Sequence, residues 1–322
     1  MEMQKVPEAG YPIKGLPVAG LQRSLTLDNL GFPLKLMKSL RLASGIVKDF
    51  RPDAVVGVGG YASGPVLYAA QKKKIPTLVQ EQNSYAGLTN KLLAKGADTI
   101  CVAYSEMEKF FPSHKIRLTG NPVRKDILDL SGKKEAALSH FGLVSDRPTI
   151  LVLGGSLGAR TLNQAVLQDM EKLEAAGYQV LWQSGKFYFS EMAAKLEESS
   201  LQHIRLREFI REMDLAYAAA DVIVSRAGAL SVSELSLVGK PVIFIPSPNV
   251  AEDHQTKNAM AYVARQAAVL LEDSKAVGQL KTSVDQLVQD PQMGKVLGEN
   301  IKKMARPDAA NAIVNELEKL VK

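Results

Sequence analysis

The chain has 322 residues and a mass of 34.9 kDa, enough for about two domains of ordinary size. With 46% apolar and 23% charged residues it is composed like a globular protein, which excludes disorder and a collagen-like repeat. Its 40 Lys and Arg stand against 34 Asp and Glu, a net charge of +6, and its single cysteine, Cys101, excludes both a disulfide framework and a cysteine-based zinc site.

In chain order, the opening Met1-Glu2-Met3-Gln4-Lys5 shows no apolar stretch of a secretory signal, and no apolar run reaches the roughly 18–20 residues that span a bilayer. A reducing, cytoplasmic compartment is the default. A turn-rich stretch runs from Pro7 to Gly20, and about 50 residues pass before the first expected strand. The segment Leu30-Gly-Phe-Pro-Leu-Lys-Leu-Met-Lys-Ser-Leu-Arg41 places Leu34, Met37 and Leu40 together on a helix, with Lys35, Lys38 and Arg41 beside them. A core-facing helix with a solvated basic edge is the commoner form of this pattern. The alternative is a membrane-surface helix.

Short apolar runs then alternate with amphipathic segments. Residues 53–58, 75–79, 99–103, 149–153, 178–182, 221–224 and 241–245 are expected as buried strands. Residues 35–50, 86–95, 159–176 and 253–264 are expected as helices. Strands of this kind alternating with helices argue for an α/β protein with parallel sheets covered on both faces. The alternation breaks once, from Gly120-Asn-Pro-Val-Arg124 to Pro148. A boundary is therefore expected near residue 122, with a first domain at 1–122, a second at 123–305 and a last helix at 306–322, Pro307 standing in its first turn. Residues 1–122 carry 16 basic and 9 acidic side chains, or +7, and the rest carry 24 and 25, or −1. The first part suits an anionic partner, either a phospholipid surface or a phosphate-bearing substrate. Aromatics at 6%, with no zinc-finger spacing and no RRM-like signature, argue against nucleic acid.

Three glycine-rich turns follow strands and open helices. Gly154-Gly-Ser-Leu-Gly-Ala-Arg160 has the form of an anion site, because helix N-terminal N–H groups and the positive end of the dipole converge where glycine admits a phosphate. It lacks the endings of a Walker A loop and of a dinucleotide fingerprint, and a tight turn without ligand explains it as well. Ser225-Arg-Ala-Gly-Ala-Leu-Ser-Val-Ser-Glu234 holds Ser231 and Glu234 at capping-box spacing, which explains both residues without a ligand and is preferred for this segment alone. The other option leaves Glu234 to accept hydrogen bonds from a sugar diol. Gly57-Val-Gly-Gly-Tyr-Ala-Ser-Gly64 repeats the arrangement in the basic part. Glu81-Gln-Asn83 and Asp253-His-Gln-Thr-Lys-Asn258 supply amides and a histidine suited to hydroxyl-rich ligands. His114, His140, His203 and His254 share no metal-binding spacing, so no metal is expected.

Gly-Gly-Tyr-Ala-Ser-Gly, Glu-Gln-Asn-Ser-Tyr-Ala-Gly-Leu-Thr-Asn, Gly-Asn-Pro-Val-Arg, Gly-Gly-Ser-Leu-Gly-Ala-Arg, Gly-Ala-Leu-Ser-Val-Ser-Glu and His-Gln-Thr-Lys-Asn-Ala occur in that order. In this the chain resembles the MurG family of N-acetylglucosaminyltransferases of peptidoglycan synthesis. The resemblance implies a GT-B fold, with two Rossmann-like domains facing across a cleft. It implies inverting transfer of N-acetylglucosamine from UDP-GlcNAc to the C4 hydroxyl of the muramyl sugar of lipid I, with no cofactor, at the cytoplasmic face of the inner membrane.

By the same resemblance Ser156 meets the diphosphate with the backbone of Leu230 and Ser231, and Glu234 takes the ribose hydroxyls. Ile210 meets the uracil through its backbone with Ala229 nearby, and His254 and Gln255 read the sugar. Asn83 and Arg124 reach the donor from the facing domain and the hinge, and Tyr61 and Ser63 belong to the acceptor side. The family opens with a strand and a Gly-Gly-Thr-x-Gly-His loop carrying its proposed catalytic base. Neither is present here, so a truncated first domain is expected and no catalytic residue is assigned. The rival expectations are another UDP-sugar enzyme of the same fold, such as a diacylglycerol glycosyltransferase or a UDP-GlcNAc epimerase, and a donor-binding module without turnover.

Overall fold

A computed structural model of the chain describes residues 2–18 and 32–321. The chain divides into two units, residues 1–119 with 311–322 and residues 120–310. In the first unit α1 (Glu2–Glu8) contains Pro7, and α2 (Phe32–Phe50) follows. The end of the turn-rich stretch, from Ala19, and the pair Leu30-Gly31 lie outside the described residues. Next come β1 (Val55–Gly57), α3 (Gly60–Lys72), β2 (Thr77–Glu81), α4 (Leu88–Ala94), β3 (Thr99–Val102) and β4 (Ile116–Leu118). The four strands form a parallel sheet in sequence order, β1-β2-β3-β4. Both β2 and β3 are buried along their whole length, as the inner strands of a parallel sheet are, although β2 carries the polar Thr77, Gln80 and Glu81.

The second unit runs α5 (Lys134–Phe141), β5 (Thr149–Leu153), α6 (Arg160–Ala175), β6 (Gln179–Gln183), α7 (Phe189–Glu197), β7 (Ile204–Arg207), α8 (Met213–Ala219), β8 (Val222–Ser225), α9 (Ala229–Val238), β9 (Val242–Phe244), α10 (His254–Val263), β10 (Val269–Leu270), α11 (Asp273–Gln289) and α12 (Pro291–Lys303). Its six parallel strands are ordered β10-β9-β8-β5-β6-β7. The chain builds outward from β5 through β6 to β7, then returns beside β5 and builds the other way. That reversal makes a switch point between β5 and β8, the place at which open parallel sheets bind ligands beyond their strand ends. The core is aliphatic around Trp182, which is fully buried and donates its indole N–H to Asn163 Oδ1 at 2.9 Å.

The last helix, α13 (Ala309–Val321), belongs largely to the first unit. Its half-buried positions Ile313, Glu316, Leu317 and Leu320 recur at helical spacing, and Glu316 lies 3.5 Å from Arg117. Pro307 stands in the turn before this helix, not in its first turn.

The expected strands are all present with bounds shifted by no more than two residues, and β5 agrees at both ends. Three further strands, β4, β7 and β10, and several helices join them. β7 reads Ile-Arg-Leu-Arg, alternating as an edge strand does, and so lacks the continuous apolar run of its neighbours. Helix α5 falls within the segment expected to be irregular.

Candidate active site

At the switch point, β5 runs into Gly154–Ala159 and then α6. Gly155 and Gly158 have φ of +83° and +93°, a left-handed backbone that glycine adopts without strain. At Gly158 space also decides, since a Cβ there would lie 2.3 Å from the Ser184 carbonyl oxygen. The close approach joins this loop to the one after β6, where the Lys186 N–H donates to the Ser156 carbonyl at 3.1 Å. Ser156 is left exposed at the mouth of the loop. The first N–H groups of α6 have no partner inside the helix and point toward the same mouth.

The loop after β8 is braced from behind. Arg226 donates to the Ile245 carbonyl at 2.8 Å and to Asp273 Oδ1 at 2.5 Å, while Asp273 also accepts from the Thr161 hydroxyl. Helix α9 begins at Ala229 with Gly228 as its N-cap and no side-chain cap. The capping box preferred from the sequence is therefore overturned. Ser231 is the third residue of the helix, one turn too far along to cap it, and Glu234 turns to other partners. Glu234 Oε1 accepts from Arg124 Nε at 3.2 Å, and Oε2 accepts from the Tyr217 hydroxyl at 3.0 Å. Burial and the Glu234 charge hold the Tyr217 proton well above the usual phenol range.

Ala229, Leu230 and Ser231 form the first turn of α9, with Leu230 exposed. The Ala229 carbonyl accepts from Asn121 Nδ2 at 3.4 Å and Ser233 Oγ at 3.0 Å. Ile210 follows β7, is buried, and donates its N–H to Gln183 Oε1 at 2.8 Å. His254 opens α10, and Gln255 beside it accepts from the Ser247 N–H at 2.9 Å. The second unit thus gathers Ser156, Ile210, Ala229, Leu230, Ser231, Glu234, His254 and Gln255 on the loops and helix starts that follow its strands, with Arg124 joined to them through Glu234.

In the first unit, Tyr61 is exposed on α3 and the Ser63 hydroxyl donates to the Gly59 carbonyl at 2.5 Å. Asn83 sits in the loop after β2, which is organised by the buried carboxylate of Glu81. Glu81 accepts from the Asn83 and Gly87 N–H groups, each at 3.0 Å, from Asn90 Nδ2 at 2.8 Å and from Asn83 Nδ2 at 3.4 Å. Gln82 donates to the Val58 carbonyl at 2.9 Å and ties this loop to the one after β1. On α2, the buried face is Ser39, Ala43 and Val47. Leu34 and Met37 are exposed by 68% and 49%. Leu40 is half-buried, and Lys35, Lys38 and Arg41 are exposed.

Sequence reasoning missed Tyr217, Gln183 and Arg226. Tyr217 lies in an alanine-rich run that looks like plain core, and no spacing in the sequence joins it to Glu234. A cavity of about 690 Å³ lies at the opposite edge of the same sheet, where β5, β8 and β9 begin. There Lys240 donates to the Ala218 and Ala220 carbonyls at the end of α8, as a cation at a helix C-terminus does. Burial pulls its amine down to about 8.

Residues 149–313 match the Glycosyltransferase family 28 C-terminal domain, and residues 1–102 match its N-terminal domain. The UDP-N-acetylglucosamine–N-acetylmuramyl-(pentapeptide) pyrophosphoryl-undecaprenol N-acetylglucosamine transferase of Flavobacterium psychrophilum is 53% identical over 321 residues, covering 100% of this chain and 87% of that protein. The chain belongs to the MurG family. The transferase of the same name from Phocaeicola vulgatus is 54% identical over 99% of the chain and 85% of its own length. Among solved structures, the MurG of Acinetobacter baumannii superposes with a TM-score of 0.78 at 28% identity, over 99% of this chain and 88% of that one. The UDP-GlcNAc 2-epimerase of Neisseria meningitidis reaches 0.64 at 17% identity over 92% and 83%, a likeness of fold alone. The fold is accordingly the two-domain α/β fold of these glycosyltransferases.

Proposed function

We infer that this enzyme transfers N-acetylglucosamine from UDP-GlcNAc to the C4 hydroxyl of the muramyl sugar of lipid I, with inversion, and so forms lipid II for peptidoglycan. The observation that carries the reading within the molecule is the switch point of the six-stranded sheet. Two glycine loops leave β5 and β8 there, each opens a helix, and Glu234 lies one turn inside the second. The diphosphate of the donor is held by the N-termini of α6 and α9, with Ser156 and the Leu230 and Ser231 backbone. Negative charge grows on the UDP as the glycosidic bond breaks, and fixed N–H dipoles stabilise it without having to reorganise. Glu234 accepts from the ribose hydroxyls. The Ile210 N–H is taken by Gln183, which leaves the Ile210 carbonyl to accept from a uracil N–H, with Ala229 alongside. His254 and Gln255 read the hydroxyls of the sugar, and Asn83 and Arg124 complete the donor contacts.

Tyr61 and Ser63 serve the acceptor side of the first unit. Among the described residues no helix is long and apolar enough to cross a membrane. The lipid-linked acceptor is met by α2, whose exposed Leu34 and Met37 lie beside Lys35, Lys38 and Arg41, so the enzyme works as a peripheral protein on the anionic cytoplasmic leaflet of the inner membrane. Nucleic acid is not a partner.

Two hydrogen bonds to a carboxylate are of order 1.5–3 kcal/mol each, so Glu234→Ala weakens UDP binding at least about tenfold. Glu234→Gln keeps the shape and loses the charge. If the Gln variant binds UDP in calorimetry as well as the wild type does, Glu234 is not the ribose residue.

A further inference from the structure

Glu234 has two partners, and they differ in kind. The Arg124 side chain is 40% exposed and pairs with Oε1 at 3.2 Å from the solvent side, where an ion pair contributes little. The Tyr217 ring is 1% exposed, inside α8, and its hydroxyl meets Oε2 at 3.0 Å. A carboxylate has about four acceptor sites, and a ribose diol needs two of them. Tyr217 uses one site from the buried side and Arg124 one from the exposed side, so the diol has room on both oxygens and gains more when Arg124 swings away.

What a free glutamate lacks is a fixed plane, because its terminal torsion is broad. A hydroxyl anchored in the core supplies it. The phenol keeps its proton, since burial and the adjacent carboxylate both oppose ionisation, so it remains a donor.

We propose that Tyr217 is a positioning residue for nucleotide recognition: its hydroxyl locks the Glu234 carboxylate in the orientation that accepts the two ribose hydroxyls, while Arg124 is the partner that yields. The proposal rests on the assignment of Glu234 to the ribose. It explains why a tyrosine occupies a fully buried position in a run of alanines where phenylalanine would fill the same space. The donor's ribose then meets a carboxylate already oriented, and less freedom is lost on binding.

The test is calorimetry on the full chain with UDP and with 2′,3′-dideoxy-UDP, which lacks the diol. The wild type should prefer UDP at least about tenfold, from the bonds at Glu234. Tyr217→Phe should weaken UDP about five- to tenfold and change the dideoxy nucleotide by less than about twofold, so that the preference collapses. In the double variant Glu234→Gln/Tyr217→Phe, the tyrosine change should add nothing to the loss of preference, since the two act as one unit. An equal loss on both nucleotides would mean that Tyr217 only packs, and no loss on either would remove it from recognition; each overturns the proposal. If Glu234→Gln abolishes the preference and Tyr217→Phe keeps it, the ribose assignment stands and Tyr217 alone is wrong. If the wild type itself does not distinguish the nucleotides, the ribose assignment fails and takes the proposal with it.

Discussion

The two sheets hold their loops in opposite ways. In the second unit the strand order reverses beside β5, and the loops at the reversal are shaped by glycine and run into helix N-termini, whose first N–H groups have no partner inside the helix. In the first unit the four described strands follow one another in order, and the loop after β2 is shaped by the Glu81 carboxylate, which draws two backbone N–H groups and two amides inward. The first arrangement offers positive dipole to a ligand and suits a diphosphate. The second spends its donors internally around a negative charge. It suits a neutral, hydroxyl-bearing partner and repels a phosphate placed at the same spot. A parallel sheet alone therefore does not make a nucleotide site.

The largest effect that tests this contrast lies in the core beneath the nucleotide loops. Trp182→Ala should cost the second unit about 3–5 kcal/mol, measured by urea unfolding with circular dichroism. A loss near 1 kcal/mol would mean that the loops do not rest on a rigid core. Next comes the surface of the first unit. Changing Lys35, Lys38 and Arg41 together to Glu removes three positive charges worth about 1 kcal/mol each near an anionic leaflet and adds three negative ones, so membrane affinity in liposome sedimentation should fall at least roughly a hundredfold. Raised salt should mimic the loss for the wild type. UDP binding, which we propose for the second unit, should be unchanged, and a triple variant that still sediments would place membrane contact elsewhere.

A smaller effect separates the two kinds of loop. Glu81→Gln turns an NH2 group toward donors that need an acceptor and should cost about 1–3 kcal/mol. Because Trp182 is the single tryptophan, its fluorescence reports the second unit, and that transition should not move. The smallest concerns Lys133 and Asp214, 2.8 Å apart, where the lysine holds the Asp214 carboxyl below its usual value of 3.8. A lowered carboxylate stabilises the fold above its unfolded value and loses that contribution as pH falls through the folded one. Asp214→Asn should therefore cost about 0.5–1 kcal/mol at pH 7 and nothing once both states are protonated, a difference that paired urea titrations will resolve.

Much of this architecture could be read from composition and period. The run Thr-Ile-Leu-Val-Leu at β5 is rich in β-branched residues and bounded by Pro148 and Gly154, so it declared both ends of the strand. The site was readable only where a local pattern carried it. Ser231 and Glu234 make a local pattern that pointed the wrong way, because the competing partners of Glu234 are Tyr217, 17 residues back, and Arg124, 110 residues back. The link from Gln183 to Ile210 spans 27 residues and two strands. Such contacts come into being only when the sheet closes, and no window of the sequence contains both partners.

The return of α13 to the first unit makes the second unit an insertion within the first. Ribosomes emit chain at about 5–20 residues per second, and roughly 190 residues separate the two parts of the first unit, so they become available about 10–40 s apart. The second unit has time to fold while the first still lacks its last helix, and a chain halted after Ala310 carries a complete second unit and an incomplete first one. Assembly order is thus written into connectivity: the second unit is complete first, and Arg117 gains Glu316 only near the end of synthesis.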